Sequence, residues 1–178
     1  EMDSVRLQLP NVLAALFWPD QNQSSARANL RRDLSTLRQV LGDQTLLVDQ
    51  DQVALNPAAD FWLDVEAFQS RHARARQSTQ GNGSLCAECA VALQEAVDLY
   101  GGDFMAGFSL SDSPEFDDWQ FFEAERLRQL LAENLQALIG WHTDRREYER
   151  AIEFARRWVA LDALHEPAQR QLMQLYAW

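Results

Sequence analysis

The chain has 178 residues, of which 47% are hydrophobic and six are tryptophan, and its formal net charge is -11. This apolar content excludes a disordered chain, and the acidic charge of both halves excludes a protein that coats nucleic acid without sequence preference. No apolar run approaches the roughly 20 residues that span a membrane, and the sequence does not open with a secretory signal pattern. We therefore expect a cytoplasmic protein with one domain or two small ones and no membrane contact.

Seven glycines and five prolines in this length predict a mainly α fold. A helix is predicted over "NVLAALFW", residues 11–18, and a second helix over about 25–41, with Ser24 or Ser25 as its N-cap. The segments "TLLV" and "VAL", separated by the polar "DQDQ", predict a β-hairpin over about residues 45–55. No comparable strand pattern occurs later in the sequence.

From Asp64 onward the periodicity of the apolar residues predicts helices only. These helices cover residues 65–77, 86–100, about 115–141, 146–162 and from 166 onward. The last three segments have roughly the 34-residue period of tetratricopeptide helices, with Leu138 and Leu172 in register. We therefore expect two domains, residues 1–60 and residues 61–178, the second being a tetratricopeptide-like helical array.

The predicted helix over about 25–41 is basic although the chain is acidic, because it contains four arginines and one internal acid, Asp33. Its apolar stripe consists of Leu30, Leu34, Leu37 and Leu41. At 100° per residue, the opposite arc carries Arg31, Arg32, Ser35, Thr36 and Gln39, flanked by Arg27 and Arg38. Such side chains contact phosphates and base edges in the major groove of DNA. A solvated helix face is the alternative, since exposed faces are polar and arginine favours helices.

These elements, in this order, resemble a known family. "LAALFWPDQNQSSARANLRRDLSTLRQVLGD" followed by "LLV…VALNPAADFWLDVEAF" is similar to the winged helix-turn-helix DNA-binding domain of SARP-type transcriptional activators. The continuation "ALQEAVDLYGGDFMAGFSLSDSPEFDDWQFFEAERLRQLLAENL" resembles the bacterial transcriptional activator domain that follows it in that family. The resemblance covers nearly all of residues 12–178.

The resemblance implies a bacterial transcriptional activator in which the basic helix is the recognition helix and the hairpin is the wing, with its tip at Asp49–Gln52. From the wheel and the resemblance together, the residues expected to contact DNA are Arg27, Arg31, Arg32, Ser35, Thr36, Arg38 and Gln39. The implied partners are double-stranded DNA, RNA polymerase, and a second copy or further domains of a longer chain. The alternative is a protein-interaction or oligomerisation module with no DNA binding of its own.

The residues at each end of the sequence predict an incompletely covered apolar surface. A complete winged helix of this type has leading strands and a further helix before residues 11–18. Residues 1–10 do not resemble them, so we expect a partial winged helix whose recognition helix lacks part of its packing surface. At the other end, Leu172, Leu175, Tyr176 and Trp178 lie on or near one face, which predicts an apolar surface that seeks a partner.

Cys86 and Cys89 are the only cysteines, and we expect them to be thiols with a structural role. Together with His72 they are candidate ligands of a zinc ion, and a redox pair is the third alternative. The acidic and aromatic stretch "DSPEFDDWQFFEAE" suggests paired carboxylates, but no nucleophile or phosphate-binding loop accompanies them. Its aromatic residues Trp119, Phe121 and Phe122 are therefore predicted as core. We expect no enzymatic activity and no cofactor.

Overall fold

The computed structural model describes residues 10–49, 52–79, 85–110 and 113–177. The described residues form seven helices and one two-stranded sheet. The helices are α1 (Pro10–Phe17), α2 (Gln23–Leu41), α3 (Asp64–Thr79), α4 (Ala87–Leu99), α5 (Pro114–Asp144), α6 (Tyr148–Leu161) and α7 (Glu166–Tyr176). The strands β1 (Leu46–Val48) and β2 (Val53–Leu55) lie between α2 and α3. The prediction of a mainly α chain, in which a β-hairpin precedes a helical array, is confirmed.

Three predicted features fall outside the described residues. These are the segment before Pro10, the tip of the hairpin at residues 50 and 51, and the last aromatic residue, Trp178. Within the described part of the chain, no helix is both long enough and apolar enough to cross a bilayer.

The chain divides into two compact units. The first consists of residues 10–62 together with 107–121, and the second consists of Leu63–Ala106 together with residues 122–177. The segment 107–121 belongs to the first unit because it packs on α1. The hydroxyl of Ser113 donates to the carbonyl of Leu16 at 2.8 Å, and the buried ring of Phe116 lies 6.2 Å from that of Phe17.

In the first unit, α1, α2 and the hairpin enclose a small apolar core. Its buried members are Ala14, Ala26, Leu30, Leu34, Leu46 and Val53. The two strands are antiparallel, with Leu46 opposite Leu55 and Val48 opposite Val53. Since each strand supplies one inward-facing residue to this core, the hairpin covers part of α2.

The two ends of α2 are held by different capping groups. Asn22 is the N-cap, so the prediction of Ser24 or Ser25 is wrong. The Asn22 side chain accepts hydrogen bonds from the backbone N–H of Ser25 and the hydroxyl of Ser24, both at 3.0 Å. It does so because its backbone is extended, with φ of -62° and ψ of 150°. Gly42 ends the helix as predicted, with φ of 96° and its N–H donating to Arg38.

The apolar stripe predicted for α2 is buried only along its first half. Leu30 and Leu34 are buried, whereas 45% of Leu37 and 52% of Leu41 are exposed. The predicted core stripe of four leucines is therefore confirmed for Leu30 and Leu34 only.

The second unit contains α3, α4, the later part of α5, α6 and α7. Within it, α3 packs on α4 and α6 packs on α7. Fully buried alanines let these helices approach one another closely, namely Ala96, Ala151, Ala155 and Ala168. Leu135, Leu138 and Ile139 of α5 fill the centre of the same core.

The aromatic residues at the start of α5 are not core residues, so that prediction is wrong. Phe121 and Phe122 are 60% and 68% exposed, and Trp119 is 39% exposed. The helix turns Phe116 inward instead, and the ring of Trp119 packs on its outer edge with 5.4 Å between centroids. When a helix buries one residue per turn, the side chains at neighbouring positions point in other directions and stay outside the core.

The turn from α5 to α6 places an arginine in a conformation that glycine prefers. Arg146 has φ of 61°. Its N–H donates to Thr143 at 2.9 Å, and the N–H of Glu147 donates to His142 at 2.9 Å. This pair of bonds is the Schellman arrangement, whose left-handed position is normally occupied by glycine.

We expect Arg146→Gly to stabilise the second unit by about 0.5 kcal/mol. Relief of the left-handed strain gains about 1 kcal/mol, and the extra freedom of glycine in the unfolded chain offsets roughly half of it. Urea denaturation followed by circular dichroism measures the change. The matched control, Arg150→Gly in the interior of α6, is expected to destabilise by about 1 kcal/mol. Equal destabilisation by both substitutions would contradict the strain argument.

Candidate nucleic-acid interface

The candidate interface is the side of α2 that points away from the first-unit core. Ala26, Leu30 and Leu34 are buried at spacings of four residues, which fixes the rotation of the helix about its own axis. The opposite side is therefore presented to solvent. Five of the predicted contact residues lie exposed on it, namely Arg31, Arg32, Ser35, Thr36 and Gln39.

The two central arginines of this side are available to an external acceptor. Arg31 makes no hydrogen bond or ion pair with any described residue. Arg32 pairs with Asp33 at 3.3 Å, but their side chains are 70% and 49% exposed. Ion pairs this exposed contribute about 0 to 1 kcal/mol, so an incoming phosphate can replace Asp33 as the partner of Arg32.

The polar side chains on the exposed side of α2 differ in the hydrogen bonds that they already form. The Thr36 hydroxyl donates to the carbonyl of Arg32 at 3.1 Å, which leaves its oxygen free to accept a hydrogen bond. The side chains of Ser35 and Gln39 are exposed and form no hydrogen bond with any described residue. Hydroxyl and amide groups of this kind read base edges in a groove.

Arg27 lies at the flank of the helix and is shared with α1. Its Nε donates to the side-chain oxygen of Asn11 at 2.5 Å. Within the described residues this bond uses Nε alone, so the two terminal nitrogens of the guanidinium remain able to bind a phosphate.

Arg38 has a different role from the other predicted contact residues. Its Nη2 donates to the backbone carbonyl of Leu46 in β1 at 3.2 Å, and its Nε is buried without a hydrogen-bond partner among the described residues. The guanidinium therefore ties the end of α2 to the hairpin. The helical wheel could not show that the hairpin carbonyl lies within reach of Arg38.

The hairpin turn offers acceptors instead of cations. The carboxylate of Asp49 accepts hydrogen bonds from the backbone N–H and the side-chain amide of Gln52, at 2.8 and 3.1 Å. These bonds stabilise the turn. A carboxylate at this position repels phosphate, so the positive charge of the candidate interface comes from α2.

The zinc candidates do not form a site. Cys86 and Cys89 are joined in a disulfide, so the prediction of two thiols is wrong, and neither sulfur is free to bind a metal. His72 lies elsewhere, with Nδ1 2.6 Å from the side-chain oxygen of Asn134 and Nε2 3.8 Å from Glu133. The described residues contain no group of three or more histidine, cysteine and carboxylate side chains that could hold a metal ion.

In the second unit, the pKa values of Tyr100 and Arg128 are raised, and both residues belong to one contact network that holds the fold together. Burial raises the pKa of Tyr100, and its hydrogen bond to Asp103 acts in the same direction. Asp103 also accepts a hydrogen bond from Arg128 at 2.7 Å, which raises the pKa of that guanidinium. The network holds the turn after α4 against α5 with Tyr100 protonated and Arg128 charged.

We expect Arg38→Met to loosen the hairpin, because the substitution removes a charged donor from the Leu46 carbonyl. A lost hydrogen bond to a charged group costs about 1.5 to 3 kcal/mol. Amide hydrogen exchange in β1 and β2 should therefore become about 10 to 150 times faster. Arg31→Met, which removes an arginine without a partner in the described chain, is the matched control and should leave exchange in the hairpin unchanged.

Comparison with known proteins bears on the second unit. A family model, the bacterial transcriptional activator domain, matches residues 63–177, more than half of the chain. No curated protein is significantly similar to the chain. The matched region contains α3 to α7, whereas α1, α2 and the hairpin precede it. The chain belongs to the bacterial transcriptional activator domain family.

Proposed function

We propose that the chain is part of a bacterial transcriptional activator in which α2 binds double-stranded DNA and the second unit contacts other proteins. Family membership supports the regulatory role. The observation that carries DNA binding is the exposed side of α2, where, among the described residues, Arg31 has no partner and Arg32 pairs only with the exposed Asp33. A helix anchored on one side with cations and amides on the other fits the major groove of B-DNA.

Each of the seven predicted contact residues of α2 receives a role in this proposal. Arg31 and Arg32 bind phosphates or the acceptor edge of guanine, while Ser35, Thr36 and Gln39 face the base edges. Arg27 binds the phosphate backbone at the flank. Arg38 acts through the hairpin, which it keeps against the end of the helix. The order helix, recognition helix, hairpin supports a partial winged helix-turn-helix.

The helical array is proposed as a tetratricopeptide-like protein-binding unit. The pairing of α3 with α4 and of α6 with α7, together with buried alanines in the same core, supports a repeat-like packing. Arrays of this kind present broad surfaces to other proteins. The proposed partners are RNA polymerase, a second copy of the chain, or further domains of a longer regulator.

The alternative function is a protein-interaction module without DNA binding. Of the apolar face predicted near the end of the sequence, Leu175 is buried and Leu172 packs against the core, so that prediction is wrong for both. Other apolar side chains on and before α7 still favour this function, since Leu164, Met173 and Tyr176 are 90%, 71% and 57% exposed. The carboxylate at the hairpin turn also favours it, because a wing normally approaches phosphate. Measured DNA binding separates the two functions.

We expect the chain to bind mixed-sequence duplex DNA at low salt and to lose affinity as salt rises. Three phosphate contacts, from Arg27, Arg31 and Arg32, predict that log K falls by about 2.7 for each tenfold rise in salt. Fluorescence anisotropy with a labelled duplex measures this slope. Absence of binding at low salt by the folded protein would favour the interaction module.

The double substitution Arg31→Ala/Arg32→Ala tests whether α2 makes the contact. It removes two phosphate contacts, so the slope should fall to about 0.9. The matched control, Arg150→Ala/Arg170→Ala, removes the same charge from exposed positions of α6 and α7 and should retain the slope of about 2.7. Equal weakening by both variants would mean that binding responds to net charge alone.

A further inference from the structure

The disulfide between Cys86 and Cys89 lies at the N-terminus of α4. Cys86 is the N-cap and Cys89 is one turn into the helix, so their Cα atoms are 5.0 Å apart, within the normal range for a disulfide. The sulfur of Cys86 accepts a hydrogen bond from the backbone N–H of Cys89 at 3.0 Å. Neither the proposed DNA contact nor the helical packing of the second unit requires this bond.

The two cysteines differ in their access to solvent. Cys86 is exposed, whereas Cys89 is 4% exposed and belongs to the core of the second unit, together with Phe68 and Leu93. Because Cys86 is exposed and Cys89 is buried, a nucleophile from solvent approaches the disulfide from the side of Cys86. In thiol–disulfide exchange, the exposed cysteine of such a pair can provide the sulfur that is attacked, and the buried cysteine can provide the leaving sulfur.

We infer that Cys86 and Cys89 form a thiol–disulfide exchange site whose reductant is a dithiol. A thiolate of the dithiol attacks the sulfur of Cys86 and forms a mixed disulfide. The bond to Cys89 breaks, and the Cys89 sulfur takes its electron pair and then a proton. The second thiolate of the dithiol attacks the dithiol's own sulfur in the mixed disulfide, which releases Cys86 as a thiolate. The dithiol becomes a cyclic disulfide, and the protein gains two reduced cysteines.

The N-terminus of α4 supports Cys86 as the reactive sulfur. The N–H of Cys89 already points at it, and the positive end of the helix dipole favours the negative charge that this sulfur carries when released. Glu88, exposed in the same turn, acts against that charge.

Opening this disulfide affects the beginning of α4 more than the centre of the unit. The bond closes a short loop, and its loss frees the N-cap. The core residues of α4 farther along the helix, Leu93, Ala96 and Val97, remain packed. The expected consequence is a local loosening at the first turn, with amide exchange of Cys89 and Ala90 on the order of ten times faster in the reduced protein.

The first test uses the unmodified protein. After reduction by dithiothreitol under native conditions, a short pulse of iodoacetamide is followed by tandem mass spectrometry of the peptide that contains both cysteines. We expect Cys86 to be alkylated at least 100 times faster than Cys89, and the two rates to become similar in urea. Equal labelling of the native protein would overturn the inference, as would a disulfide that dithiothreitol reduces only after unfolding.

The second test traps the mixed disulfide. Cys89→Ser treated with oxidised glutathione should form a stable adduct at Cys86, because the resolving sulfur is absent. Cys86→Ser should form none, because Cys89 is buried, and circular dichroism confirms that both variants are folded. Adducts of equal yield on the two folded variants would contradict the division of roles. A reduced wild-type protein that oxidised glutathione fails to reoxidise would overturn the exchange site altogether.

Discussion

The candidate interface depends on the burial of one side of α2 in the first unit. Leu30 and Leu34 pack against the hairpin and α1, and each buried leucine contributes about 2 kcal/mol. Since residues four apart share a helix face, this packing decides which residues are presented to solvent. The caps at Asn22 and Gly42 then fix where the helix begins and ends. The exposure of Arg31 and Arg32 is a consequence of this packing.

The net charge of the chain is negative, whereas the local charge of α2 is positive. A net charge of -11 disfavours nonspecific binding of nucleic acid, while α2 carries four arginines and one aspartate. At physiological salt, charges more than about 8 Å apart are largely screened, so a local group of arginines can attract phosphate on an acidic protein. Asp33, the acidic residue of α2 itself, opposes this charge, but its exposed pairing with Arg32 is weak.

The sequence predicts the helices and the hairpin well because their signals are local. Apolar periodicity locates α2, and Gly42 marks the end of this helix. The contact of Arg38 with the Leu46 carbonyl is not local, because it depends on where the hairpin folds back. The packing of residues 107–121 on α1 joins segments almost a hundred residues apart, which periodicity does not encode. The C-x-x-C spacing was visible, but only the geometry of the α4 N-cap distinguishes a disulfide from two thiols. The exposed arginines of the candidate site were therefore predictable, and the bracing role of Arg38 was not.

The most direct test of the central claim is an NMR titration of the folded chain with duplex DNA, observing the Nε–H signals of its arginines and the side-chain amide of Gln39. Contact through α2 predicts that the signals of Arg31, Arg32 and Gln39 shift in proportion to bound DNA. The signals of Arg150 and Arg170 should stay unchanged. Shifts confined to arginines outside α2, or no shift at saturating DNA, would contradict the assignment of α2 as the DNA-binding helix.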